Sequence, residues 1–243
     1  MPVPSSRNEL ASRLERDLKA RGTEARATHE KAYLKSTLEH FGVDVPTTRT
    51  CVKAVVRETK PTLTHDALVA TVRALWARGV FELRSAGIEL LIARVDLLGP
   101  DDVPLLEELV RGSKTWALVD ALAPHVMGKL VIAHPKLTRT LDRWATDDDF
   151  WVRRAAMLAL LVPLREGGGD FERFTRYADA MLEEKEFFIR KAIGWILRET
   201  GRKTPDRVHA WLLPRASRAA GLTIREATKY LSAKQRAEIE RAR

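Results

Sequence analysis

The chain has 243 residues, 45% hydrophobic and 31% charged, a balance that suits one large domain or a short repeat array and leaves no long segment reading as disordered. Its 42 Lys+Arg against 33 Asp+Glu leave a formal charge of +9, which points to a polyanionic partner, nucleic acid ahead of an anionic membrane surface. A single cysteine, Cys51, excludes an intramolecular disulfide and any multi-cysteine metal or iron–sulfur site.

The first eight residues are polar and lack the apolar stretch of a signal peptide. Beyond them, apolar residues recur at three- and four-residue spacing in blocks of roughly 10 to 18, which predicts helix after helix. Punctuation by Pro, Gly and Asp places breaks near residues 42–46, 60–64, 78–80, 99–102, 134–135, 146–149, 167–170 and 201–205. No alternating run flanked by hairpin turns argues for a strand. The expectation is an all-α fold in a single domain, 1–243. The longest apolar runs, such as residues 157–164, look too short to cross a bilayer, so a cytoplasmic, nucleoid-associated protein with no membrane partner is expected.

Four segments align without gaps: Phe81-ELRSAGIELLI, Thr115-WALVDALAPHV, Phe150-WVRRAAMLALL and Phe187-FIRKAIGWILR, whose first residues lie 34, 35 and 37 positions apart. Such a period suits a pair of helices per repeat, stacked as a HEAT-like solenoid with a concave groove for a long ligand. One column of the alignment holds Ala86, Ala155 and Ala192, small residues where helices approach closely. The second segment carries Asp120 in that column. A carboxylate in a close-packed column is costly unless it is paired or faces a polar cleft, and a local rule broken once marks a candidate site. A capping or ion-pairing role within the stack is the alternative.

Trp116 lies one helical turn before Asp120, so indole and carboxylate project from one face. Trp151 and Trp195 fall in the next two repeats with Arg153, Arg154, Arg190 and Arg198 nearby. Guanidiniums would hold phosphates without sequence choice, and tryptophan faces would attract a cation, although core packing remains the alternative for each tryptophan. Other reaction templates are missing. There is no phosphate-binding glycine loop, dinucleotide fingerprint, His-Glu-x-x-His helix or Gly-x-Ser-x-Gly elbow, and the six histidines show no metal-ligand spacing. Neither a metal nor an organic cofactor is expected.

The segments Ser113-KTWALVD, His134-PKL, Asp149-FWVRRAA and Glu186-FFIRKAIGWILRE resemble the AlkD family of DNA glycosylases in order and spacing. Lys31-AYLKS and Thr223-IREATKYL look like that family's first-repeat and closing-helix motifs, so the resemblance covers nearly the whole chain. It implies that Asp120 is the catalytic aspartate, that Trp116 and Trp195 are the paired tryptophans and that Arg154 is the active-site arginine. It also implies that Tyr33 and Arg198 contact DNA, with Arg153, Arg190 and Lys191 as further DNA-binding cations. The implied activity is release of positively charged alkylpurines, 3-methyladenine and 7-methylguanine, from double-stranded DNA. The family leaves the base unflipped, an open mode unlike the usual snug pocket. No lysine is placed as an amine nucleophile, Lys191 being the nearest one, so a monofunctional enzyme that leaves an abasic site is expected, acting as a monomer without an obligate protein partner. Two readings stay beside it: a glycosylase specialised for bulky natural-product adducts, and a non-catalytic HEAT-repeat scaffold that binds DNA.

Overall fold

A computed structural model describes residues 9–243; the polar segment 1–8 lies outside the described residues. Helix follows helix: α1 (Glu9–Lys19), α2 (Glu24–Leu34), α3 (Val45–Thr59), α4 (His65–Ala77), α5 (Phe81–Ala93), α6 (Val103–Ser113) and α7 (Trp116–Leu122). Then come α8 (Gly128–Ala133), α9 (Thr138–Trp144), α10 (Phe150–Leu158), α11 (Leu161–Arg165), α12 (Phe171–Met181), α13 (Phe187–Gly201), α14 (Pro205–Leu212), α15 (Gly221–Ala227) and α16 (Ala233–Arg241). There is no strand among the described residues, only one isolated bridge between Glu39 and Val80. The fold is all-α, as the periodicity predicts.

The helix starts follow from side chains that accept otherwise unpaired N–H groups. Asp44 accepts from Thr47 N at the head of α3, Thr64 from Ala67 N at α4, Asp149 from Trp151 N at α10 and Asp170 from Arg173 N at α12. Ser232 and Gln235 form a reciprocal capping box at α16. The first four caps sit at breaks read from the sequence; the α16 box lies beyond the last of them.

The chain forms two compact units, the first running to Val103 and adding Ser113–Leu122, the second made of Pro104–Gly112 and Ala123–Arg243. In the first, α1 and α3 pack against α5, which also lies along α4 and α7. Leu14, Leu18, Val55, Leu68, Val72, Leu75, Leu83 and Leu91 are fully buried there. The loop from α2 to α3 is fixed from below by the buried Glu82 of α5, whose carboxylate accepts from the backbone N–H groups of Phe41 (3.0 Å), Gly42 (2.6 Å) and Val43 (3.1 Å). Gly42 itself sits at φ +78°, and a Cβ there would stand 2.1 Å from Thr23 O, so only glycine lets this loop lie against the start of α2.

In the second unit the polar contacts repeat with the sequence period. Trp144 Nε1 donates to Glu107 Oε2 (2.8 Å) across 37 residues and Tyr177 Oη to Asp142 Oδ1 (2.7 Å) across 35. Arg215 Nη2 donates to Asp179 Oδ2 (2.8 Å) across 36, and Lys191 Nζ to Glu226 Oε1 (2.8 Å) across 35. Residues that bond to counterparts one period away are the mark of stacked helical repeats. The small-residue column fits this: Ala86, Ala155 and Ala192 have no exposed surface.

One expectation needs correction. The apolar runs are not all short, because α7, a π-helical segment Ala123–Met127 and α8 join into one helical stretch, Trp116–Ala133. By length and composition it is apolar enough to cross a membrane, with a mean hydropathy of 1.3 over 18 residues, yet 56% of it is buried in the protein and it carries Asp120 and Lys129, as a core helix can. Pro124 removes the N–H that would bond to the Asp120 carbonyl. A widened π turn absorbs the proline without ending the helix.

Candidate functional site

The first unit carries the Trp116–Asp120 pair. Leu118, Val119 and Leu122 of α7 are buried against α5, and this turns Trp116, Ala117, Asp120 and Ala121 to the half-exposed side. The helix is entered sharply. Lys114 adopts a left-handed backbone, φ +48°, and Thr115 Oγ1 accepts from Ala117 N (3.4 Å). A non-glycine residue held in that region stores about 1–3 kcal/mol of strain, here next to the residue that opens the helix.

Tyr33 reaches the same place from α2. Its ring, 66% exposed, stands edge-on to the Trp116 indole with centroids 6.1 Å apart and planes at 89°. His29, one turn earlier on α2, stacks parallel on Tyr33 at 6.5 Å. Tyr33, distant in sequence, thus joins Trp116 and Asp120 on one surface of this unit. Sequence reading missed His29, whose only signal is its i, i+4 relation to Tyr33.

The second unit carries the other candidates. Lys191, Trp195 and Arg198 follow one another at i, i+4 and i+7 along α13, all half-exposed. They are organised by a residue sequence reading did not single out, Glu226 of α15. Its carboxylate takes Lys191 Nζ at 2.8 Å, Arg198 Nη1, and Lys229 Nζ at 3.6 Å. Burial pushes the Glu226 carboxyl up, but the Lys191 hydrogen bond and the charges of Lys191, Arg198 and Lys229 outweigh it and hold the group below its usual range. Arg198 and Arg202 also reach Glu199, at 3.1 and 3.5 Å. Four cations share two carboxylates, so the stripe keeps a net positive charge.

Gly194 makes this possible. A Cβ at that position would stand 2.7 Å from the Glu226 Cβ and 3.0 Å from Thr223 O, so α15 seats on α13 only because the side chain is missing. Thr223, fully buried, completes the contact by donating to Arg190 O at 3.2 Å.

The remaining arginines are engaged in building the unit. Arg154, 2% exposed, donates through Nη1 to Phe188 O. Arg153 donates to the carbonyls of Asp147 (2.6 Å) and Asp148 (2.9 Å) and pairs with Glu184 (2.8 Å), while Arg190 Nε donates to Glu184 O at 2.6 Å. Trp151 lines no surface. It is 6% exposed, with Phe150 and Phe188 rings at 4.6 and 4.9 Å. Its position beside the α10 N-cap turns it inward, so packing and not ligand contact is its role.

A family model described as DNA alkylation repair enzyme matches residues 14–231. Among solved structures, the chain is similar to a predicted DNA alkylation repair enzyme from Enterococcus faecalis at 25% identity and TM-score 0.78, over 88% of this chain and 98% of that one. It shares the fold of AlkD2 from Streptococcus mutans at 18% identity and TM-score 0.50, over 94% of this chain and all of that one. No curated relative matches. With the matched span reaching from α1 to the turn before α16, the chain belongs to the DNA alkylation repair enzyme family.

Proposed function

We propose that this chain is a monofunctional DNA glycosylase that hydrolyses the N-glycosidic bond of positively charged alkylpurines, 3-methyladenine and 7-methylguanine, in duplex DNA. The observation that carries the reading is the Trp116–Asp120 pair on the half-exposed face of α7, with Tyr33 set edge-on to the indole, in a chain whose family is DNA alkylation repair.

The chemistry suits a single carboxylate. A cationic base leaves as a neutral molecule and needs no general acid. As the bond to C1′ lengthens, its electron pair departs with the base and positive charge gathers on the sugar. Asp120 stabilises that charge and orients the water whose oxygen bonds to C1′; the water's proton is lost to solvent, and the products are free base and an abasic site. Trp116 offers an electron-rich face to the cationic nucleotide; family resemblance assigns Trp195 the same part, and Arg154, buried and bonded to Phe188 O, is a positioning residue. Lys191, Arg198, Arg190, Arg153 and Tyr33 are assigned to the duplex backbone, with double-stranded DNA as the partner and a monomer sufficient. By family resemblance the base stays unflipped while its bond is broken.

The test is incubation with methylated duplex DNA and chromatography of the supernatant. Free 3-methyladenine or 7-methylguanine together with alkali-labile abasic sites is the expected outcome. Strand cleavage without alkali would instead indicate an amine nucleophile, and no base release from DNA that the protein binds would favour the scaffold reading.

A further inference from the structure

Helix α2 presents Tyr33 yet buries none of its own residues, so something other than apolar packing must hold it. Beneath it, the fold gathers Glu30 of α2, His40 of the following loop and Glu82 of α5, with one ligand atom from each lying within 4.8 Å of the others. We propose that Glu30, His40 and Glu82 bind a divalent transition-metal ion of the zinc class, which ties α2 and its loop to α5.

Three features of the cluster point to a cation. His40 is 9% exposed and neither ring nitrogen has a hydrogen-bond partner, while its ring plane is fixed by stacking on Phe81 at 4.9 Å and 8°. A buried imidazole with both nitrogens unsatisfied is costly as it stands. Glu30 is held through Oε1 by Arg26 (2.5 Å), and its Oε2 is buried without a partner. Glu82 uses three of about four carboxylate lone-pair sites on the loop N–H groups, leaving one. Imidazole nitrogen and carboxylate oxygen are ordinary zinc ligands at ~2.0–2.2 Å, and closing the triangle onto an ion needs each to move by less than about 1 Å. Two carboxylates neutralise the ion's charge, and a water would take the fourth position.

An exposed histidine at the head of α4 makes the contrast. His65 has both nitrogens engaged, with Asp66 at 3.0 Å and Asp102 at 2.8 Å, and needs no ion. At Glu30–His40–Glu82 the ion would be structural, holding the fold and taking no part in bond breaking. Glu30 and Tyr33 are three residues apart on one face of α2, so the ion would also fix the helix that sets Tyr33 against Trp116.

The test is thermal unfolding and visible absorption of the full chain, stripped with chelator and titrated with Zn²⁺ or Co²⁺. At zinc concentrations ~100-fold above its Kd, the wild type should gain about 5–10 °C in Tm, and Co²⁺ should give visible absorption bands of a low-symmetry nitrogen and oxygen site. Glu30→Gln and His40→Phe should lose both effects, the latter keeping the stack on Phe81, and His65→Ala should retain both. A wild type indifferent to both ions overturns the proposal. So does an equal rise in Glu30→Gln and His40→Phe, which would place the ion elsewhere.

Discussion

The ring of Tyr33 stands edge-on to the indole of Trp116, with centroids 6.1 Å apart and planes at 89°. One ring comes from the last turn of α2 and the other opens α7. Such a pair contributes about 0.5–1.5 kcal/mol beyond area burial. If it fixes the indole plane for the substrate, Tyr33→Ala should lower kcat/KM by about 2- to 12-fold while Tyr33→Phe stays near wild type. A Phe variant as weak as Ala would show that the hydroxyl, and not the ring edge, matters.

Lys191 and Arg198 bracket Trp195 on α13 and are ordered by Glu226. As phosphate contacts they give affinity without base choice. Lys191→Ala or Arg198→Ala should weaken binding equally on all duplex sequences and reduce the salt slope by about one. Titrations by fluorescence anisotropy at several salt concentrations check this; an unchanged slope would remove that cation from the DNA interface.

The seat of α15 on α13 depends on Gly194. With its added Cβ 2.7 Å from the Glu226 Cβ, Gly194→Ala should cost about 1–3 kcal/mol, read as a lower midpoint in denaturant, and should weaken DNA binding because Lys191 and Arg198 lose their shared anchor. Stability and affinity both unchanged would mean that α15 moves freely, contrary to the close contact.

Much of this architecture was legible in the sequence. Caps and breaks follow from local chemistry, and the 34- to 37-residue period reappears as hydrogen bonds between residues 35–37 apart. What was hidden depends on contacts between distant segments. Glu82 reads as an ordinary polar helix position, and only the folded loop shows why it is buried. Glu226 gains its role from two cations a repeat earlier. Trp151 and Trp195 look alike in sequence, but neighbouring aromatic rings bury the first and leave the second half-exposed. The surface formed by Trp116, Asp120 and Tyr33 was legible mainly through resemblance, since helical spacing alone joins only the first two.

Acid should weaken the second unit through Glu107. Hydrogen bonds from Arg143 (2.5 Å), Arg111 (2.7 Å) and Trp144 (2.8 Å) overcome burial and hold its carboxyl down at about 2, from an ordinary 4.5. Because the folded value is depressed, the stabilisation is complete above pH 4.5 and is lost as pH falls from there towards about 2. Both arginines are partly exposed, so solvent screening reduces the effect. Glu107→Gln should cost about 1–2 kcal/mol near neutral pH and flatten the acid limb of a Tm-against-pH curve. An acid limb with wild-type slope in the variant would assign the acid sensitivity to other carboxylates.

The most direct test of the central claim is base release by the wild type and Asp120→Asn from the same methylated duplex, at protein concentrations that give equal DNA occupancy. Asparagine keeps the shape and removes the charge. The wild type should release 3-methyladenine or 7-methylguanine, and the variant should be slower by about a hundred- to a thousand-fold with binding retained. Equal rates in the two proteins would contradict a catalytic carboxylate at Asp120.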